Sequence, residues 1–313
     1  MADRKMYLQI AELFARRDEI TIETTLSGGQ AGRKKILSGE ERMLPPEEHV
    51  YRETLYGRSR GVICGGGHVS LALVRFLKML DFHVTVIDQR AEFANRERFP
   101  DADEILCMDF PEGLDRGNFG EHAYYIIVTR GHKDDYSCLS AILKMKRDYV
   151  GMIGSRGKVA MSFEKLRQDG FSEEEIRKIH APIGLSIGAQ TPAEIGVSIC
   201  AEIIQEKNKY PRKTLEEEVL RGIRDENAVT MVTVVEKSGS SPRGEGTRMV
   251  VCRDGSIYGT IGGGPIEFAA VREAQSFSDA GGFSIREYDL SNSKAATLGM
   301  VCGGKVKVLF EKL

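Results

Sequence analysis

Val62-Ile63-Cys64-Gly65-Gly66-Gly67-His68-Val69-Ser70 is the stretch that decides the fold. An apolar run enters three glycines, and helix-spaced apolar residues follow over 68–80. Glycines between a strand and a helix permit a tight turn, and they let backbone N–H groups approach a phosphate at the helix start. Gly65-x-Gly67-x-x-Ser70 replaces the third glycine of the dinucleotide string by serine, small enough for close helix–strand packing. The next apolar run, Val84-Thr85-Val86-Ile87, ends in Asp88. An acidic group there accepts hydrogen bonds from ribose hydroxyls and repels a 2′-phosphate. A glycine string alone is weak, but the strand before it, the helix behind it and the acidic strand end agree. Together they favour a nucleotide-type turn over a purely structural one.

Working outward, strands are predicted at 61–64, 83–87, 104–108, 123–128 and 149–153, with helices at 68–80, 113–117, 134–146 and 156–169. The strands are near-continuous apolar runs, as expected when helices cover both faces of a parallel sheet. The alternation implies right-handed βαβ units and an α/β, Rossmann-like doubly wound parallel sheet. Two further helix starts are marked by capping boxes, Ser172 with Glu175 and Thr191 with Glu194. The second carries Pro192 at its first position and is expected to run to Lys207.

Two other strand ends carry chemistry: Thr129-Arg130-Gly131-His132 and Gly154-Ser155-Arg156. In an open α/β sheet both belong to the carboxyl edge, beside the first glycine turn. Candidate ligand contacts are therefore Gly65, Gly66, Gly67, His68, Asp88, Arg130, His132, Ser155 and Arg156. The string from Gly151 to Lys158 is no Walker loop, because Val159 stands where Ser or Thr is needed. His68 and His132 lack the companion ligands of a metal site, so no metal is assigned.

From Ala228 the pattern turns to β, with strands at 229–235, 247–252, 256–260, 283–288 and 305–311 and a helix at 265–277. This half is a smaller α+β domain rich in glycine. Ser240 and Arg243 lie in one polar turn, and Gly262, Gly263 and Gly264 precede a helix opening with Pro265, a second place for an anion. Cys302 stands in the turn Gly299-Met300-Val301-Cys302-Gly303-Gly304, where N–H groups can depress a thiol pKa; the alternative is a small residue in a tight turn. Cys64, Cys107, Cys138, Cys200 and Cys252 fall in strand or helix patterns and read as packing.

The expected division is 1–57, a helix and short strands packing with one of the two domains; 58–206, Rossmann-like; 207–227, a charged linker; and 228–313, the glycine-rich domain. One ligand held between two unlike domains is the resulting expectation. The balance of 44 basic and 46 acidic residues points to neither nucleic acid nor an anionic membrane as partner. No apolar run approaches the ~20 residues of a membrane helix. Six cysteines without a CxxC pair, and an N-terminus without a signal-type apolar run, lead us to expect a reducing, cytoplasmic setting.

Taken together, the two halves resemble the XdhC/CoxI family of accessory proteins for molybdenum hydroxylases such as xanthine dehydrogenase. The resemblance rests on Cys64-Gly65-Gly66-Gly67-His68, Val86-Ile87-Asp88, Thr129-Arg130-Gly131-His132, Ile153-Gly154-Ser155-Arg156 and, most specifically, the string from Pro182 to Ile195. In the second half it rests on Gly239-Ser240-Ser241-Pro242-Arg243, Ile261-Gly262-Gly263-Gly264-Pro265-Ile266-Glu267 and the turn around Cys302.

The resemblance implies a homodimeric chaperone that binds the molybdenum cofactor (molybdopterin) as cargo, assists its sulfuration, and inserts it into a xanthine dehydrogenase-type hydroxylase. A dinucleotide is a second candidate ligand, and a cysteine desulfurase a second partner. The chain departs from the family in two ways. The small glycine-rich domain usually comes first, and here it comes last. Many relatives carry cysteine where this chain has Pro265, so a sulfur or molybdenum contact falls to Cys302. The competing readings are an NAD(P)-dependent oxidoreductase, with His132 or Lys133 as its acid or base, and a nucleotide-sensing module.

Overall fold

The computed structural model describes residues 4–14, 18–238, 244–280, 282–289 and 304–313. The chain divides into two compact units, Met1–Gly57 with Arg212–Leu313, and Arg58–Pro211. The second is thus inserted into the sequence of the first. The chain opens with α1 (Arg4–Leu13), β1 (Glu19–Thr25), β2 (Lys34–Leu37) and β3 (Val50–Tyr56).

The inserted unit follows the strand–helix alternation closely. Its elements are β4 (Arg60–Cys64), α2 (His68–Met79), β5 (His83–Ile87), β6 (Glu104–Leu106), α3 (Phe110–Arg116), β7 (Ala123–Ile127), α4 (His132–Ile142), β8 (Tyr149–Met152), α5 (Arg156–Gln168), α6 (Glu173–Arg177) and α7 (Pro192–Lys207). The strands form one parallel sheet in the order β6-β5-β4-β7-β8. Strand order therefore reverses between β4 and β7, where Cys64 pairs with Ile127. At such a point successive loops leave in opposite directions and open a crevice beyond the carboxyl ends of the strands.

Alternate residues of each strand face opposite ways, so both faces need cover. Val62, Tyr125 and Ile127 pack with Phe110 and Leu114 of α3 and with Leu139 and Ile142 of α4. Ile63, Val86 and Ile126 pack with Leu73 and Leu77 of α2 and with Ile199 and Ile203 of α7. Both predicted capping boxes form: the Ser172 and Thr191 hydroxyls accept from the amides of Glu175 and Glu194.

The remaining elements are β9 (Lys213–Thr214), α8 (Glu217–Arg224), β10 (Ala228–Ser238), β11 (Arg248–Cys252), β12 (Ile257–Gly259), α9 (Gly264–Ala280), β13 (Phe283–Asp289) and β14 (Lys305–Lys312). They complete two sheets, β2-β1-β3-β9 and β12-β11-β10-β14-β13. The N-terminal segment belongs to this unit: Tyr7, Ile10, Ile20, Ile22 and Leu55 share one core with Val219, Ile223, Met231 and Val250. The opposite face of the larger sheet, with Val232, Val251 and Phe310, packs on Ile266, Ala270 and Ala274 of α9.

The stretch 207–227 is not the linker that its charge suggested. α8 buries Val219, Leu220 and Ile223, while Glu217, Glu218, Arg221 and Arg224 stay exposed. An amphipathic helix of two turns carries charges on its outer face, and those charges hid it. Ion pairs also tie the N-terminal segment to distant strands. Lys34 meets Glu311 at 2.9 Å with both side chains buried, and Arg248 pairs with Glu53. Burial works to lower the Lys34 pKa, but the Glu311 carboxylate and Tyr7 outweigh it and raise it.

Candidate functional site

The three glycines after β4 do three different jobs. Gly65 has φ +113°, and a side chain there would also sit 2.5 Å from the Val128 carbonyl oxygen. A Cβ on Gly66 would overlap the carbonyl oxygen of Phe93. Gly67, with φ −72°, caps α2, and a Cβ there meets nothing within 4 Å. Only this last glycine of the three faces open space, so it is the one that a ligand can approach. Ser70 is explained by its own bond: its Oγ donates to the Gly65 carbonyl and braces the turn.

The other predicted edge residues surround this point. His68 is exposed on the first turn of α2. Beyond β7, Arg130 and His132 are placed at the loop and at the start of α4, with Arg130 exposed. Beyond β8, Ser155 and Arg156 are exposed at the start of α5. Topology brings them all to the carboxyl edge of the sheet, although Ser155 and Arg156 lie one strand further from the switch point. Thr129 shapes the middle loop by donating to Asp135 at 2.6 Å. Burial raises the Asp135 pKa in spite of that bond.

Asp88 is fully buried, with every acceptor position engaged by its own chain. Its carboxylate accepts from the Gly66 amide at 2.8 Å, the Arg90 amide at 3.0 Å, and Arg90 Nε and Nη2 at 2.9 and 2.8 Å. Burial would raise its pKa, but these hydrogen bonds hold it below the usual carboxylate range. The Arg90 guanidinium lies 3.9 Å from the Phe93 ring centroid, and that of Arg98 lies 5.1 Å from it. Arg98 Nε donates to the Gly66 carbonyl at 2.8 Å. Its Nη2 is buried and has no hydrogen-bond partner among the described residues.

The segment after Asp88 therefore closes over the glycine turn. The sequence reading passed over Arg90, Phe93 and Arg98. Their signal was three arginines, Arg90, Arg96 and Arg98, directly after an acidic strand end.

The second glycine patch also binds an anion, and the anion is internal. Gly262, Gly263 and Gly264 have φ of +126°, +72° and +68°. Ile261 N and Gly263 N donate to the Glu267 carboxylate at 3.0 and 3.2 Å, and the Thr260 hydroxyl joins them. Amides curled around one oxygen form a nest. Here the first turn of α9 fills it.

Ser240, Arg243 and Cys302 lie outside the described residues. Of the cysteines read as packing, Cys64, Cys138, Cys200 and Cys252 are buried, but Cys107 is exposed. It follows β6, which ends at Leu106, two residues earlier than the pattern predicted, so its side chain escapes the sheet. Burial, followed by a hydrogen bond with Cys64, raises the Cys138 pKa. Among the described residues, no three His, Cys, Asp or Glu side chains are placed to hold a metal, and no helix is long and apolar enough to cross a membrane.

With this geometry in hand, the comparisons with known proteins agree on a family. A model described as the XdhC Rossmann domain matches residues 62–203, and one described as the XdhC and CoxI family matches 223–289. The chain belongs to the XdhC and CoxI family. It is 34% identical over 155 residues to uncharacterized protein YqeB of Escherichia coli (strain K12), covering 49% of this chain and 28% of that one. It is 25% identical over 162 residues to a probable xanthine dehydrogenase component of Bacillus subtilis (strain 168), covering 51% and 47%. The chain thus spans less than half the length of either relative. A crystal structure of a xanthine dehydrogenase from Bacillus halodurans shares the fold, with TM-score 0.54 and 23% identity over 66% of this chain and 65% of that one.

Proposed function

We propose that this member of the XdhC and CoxI family is an accessory protein of a xanthine dehydrogenase-type molybdenum hydroxylase, and that its inserted unit holds the molybdenum cofactor as cargo by its phosphate end. The observation that carries the reading is the glycine turn, where an open Gly67 stands beside the orphaned Nη2 of Arg98.

The donor set suits such a cargo. A phosphate on a pterin is a compact dianion that seeks N–H donors and cations. The first amides of a helix have no intrahelical partner, and the helix dipole adds positive potential there. The start of α2 supplies such amides. Arg98 supplies guanidinium donors already pinned to the turn through its Nε, so little ordering remains on binding. His68, Arg130 and His132 extend the polar rim. The cargo itself brings the molybdenum chemistry; the protein's part is to bind, orient and shelter it.

Gly67→Val tests the site. Its backbone angle suits any residue and its Cβ meets open space, so the variant should fold as the parent does. The added side chain should keep a phosphate from the amides and weaken binding tenfold or more, about 1.4 kcal/mol per decade. Calorimetric titration with inorganic pyrophosphate and with isolated molybdenum cofactor measures it, and unchanged affinity for both would reject the site.

Sulfuration is the second half of the proposal, with Cys302 as the thiol that contacts the molybdenum centre and a cysteine desulfurase as the sulfur source. The support is its glycine-rich turn in the sequence and the burial of four of the other five cysteines. Serine is close in size but a far poorer soft-metal ligand and nucleophile. Cys302→Ser should fold and yet fail to activate the hydroxylase, with Cys107→Ser as the exposed-thiol control. Full substrate oxidation by hydroxylase matured with the Cys302 variant would remove the role. A homodimer, cytoplasmic like its partner enzyme, completes the picture.

A further inference from the structure

We propose that Arg90 sets ligand specificity at the glycine turn: by occupying Asp88 it excludes ligands that present a ribose diol at this strand end, and it leaves the turn to phosphorylated ligands without one. The inference rests on the anion-site reading above and sharpens it toward the plain cofactor rather than a dinucleotide.

The argument is one of acceptor capacity. An ionised carboxylate has about four lone-pair directions. At Asp88 four N–H groups use them, all at 2.8–3.0 Å. Two ribose hydroxyls would have to displace the guanidinium fork, because the Gly66 and Arg90 amides belong to the turn itself. Asp88 is fully buried while the Arg90 side chain is 28% exposed, so Arg90 is the lid on the carboxylate. Stacking on Phe93 holds the guanidinium plane in place. Asp134, from the start of α4 across the switch point, is near enough to help Asp88 and Glu92 raise the Arg90 pKa, which locates Arg90 toward the crevice.

A site built to hold a dinucleotide would leave its strand-end carboxylate open to the ribose. Here the same carboxylate serves the protein: through the Gly66 amide it braces the turn, and through Arg90 it is closed to sugars. That separates a phosphate-binding carrier from a nicotinamide enzyme on one fold.

The experiment compares the full chain with Arg90→Ala and Arg90→Lys, titrating each with NAD⁺ and with inorganic pyrophosphate by calorimetry. Arg90→Ala should bind NAD⁺ at least tenfold more tightly than the parent, while pyrophosphate affinity stays within threefold. Arg90→Lys keeps the charge but not the bidentate fork, so it should fall between them, and it serves if the alanine variant does not fold. Adding Asp88→Asn to Arg90→Ala should abolish the gain. Pyrophosphate binding with NAD⁺ held equally tightly by parent and variants overturns this proposal alone. Absence of pyrophosphate binding in the parent overturns the anion-site reading and this proposal with it.

Discussion

Gly66→Ala is expected to lower the unfolding midpoint of the inserted unit by roughly 6–12 °C, while Gly67→Ala leaves it nearly unchanged. The two positions are neighbours in one glycine run, and composition cannot tell them apart. At Gly66 a methyl group would overlap the carbonyl oxygen of Phe93 and press on the Phe93 Cβ at 2.9 Å. The obstacle is backbone, which no rotamer change can clear. Either the segment after Asp88 lifts away, taking Arg98 off the Gly66 carbonyl, or the turn shifts and loosens the Gly66 amide from buried Asp88. Overpacking of this kind costs about 1–3 kcal/mol, with backbone obstacles toward the upper end. For a unit of this size each kcal/mol moves the midpoint by about 2–4 °C. Thermal melts followed by circular dichroism, with hydrogen exchange to assign the transition to 58–211, make the comparison. A Gly66→Ala protein that melts with the parent would mean that Phe93 does not seat on the turn.

In the other unit, Arg248→Met should cost about 3–5 kcal/mol, because it strands a buried carboxylate. Arg248 and Glu53 are each only 2% exposed, and Arg248 also donates to the Gly246 carbonyl at 2.7 Å. With the guanidinium gone, Glu53 keeps the Tyr51 hydroxyl at 3.3 Å, a neutral donor that cannot balance its charge. The double variant Arg248→Met with Glu53→Leu removes both charges and should recover most of the loss, since apolar replacements of buried pairs are often close to neutral. Urea midpoints of the parent, the two single variants and the double variant measure the cycle. A loss below about 1 kcal/mol for Arg248→Met would show the pair to be as weakly coupled as an exposed one. The prediction bears on function because Glu53 lies before the inserted unit and Arg248 after it. The pair is one of the bonds that close the first unit around the insertion.

The inserted unit was legible in the sequence because its signals are local. Apolar runs end at Cys64, Ile87, Ile127 and Met152, each followed within a few residues by turn or helix-start chemistry. Ser172 and Thr191 announce their helices through side chains three residues apart. Such patterns depend only on near neighbours, so the parallel sheet and the carboxyl-edge cluster of His68, Arg130 and His132 could be read directly. Residues 207–227 defeated the same method because a two-turn helix with four charged residues on its outer face is too short to show its period.

Which glycine faces a ligand, and what each acidic residue serves, was decided by tertiary structure. Asp88 stands where a ribose partner belongs, yet Arg90 turns back onto it, and Glu267 fills the turn that its own helix follows. The N-terminal segment found its place through partners such as Glu53 with Arg248, 195 residues apart, and Lys34 with Glu311. Helical and strand periods are set by backbone geometry over a few residues. A buried charge takes whichever opposite charge the folded chain brings within reach, and that choice is written in no short stretch of sequence.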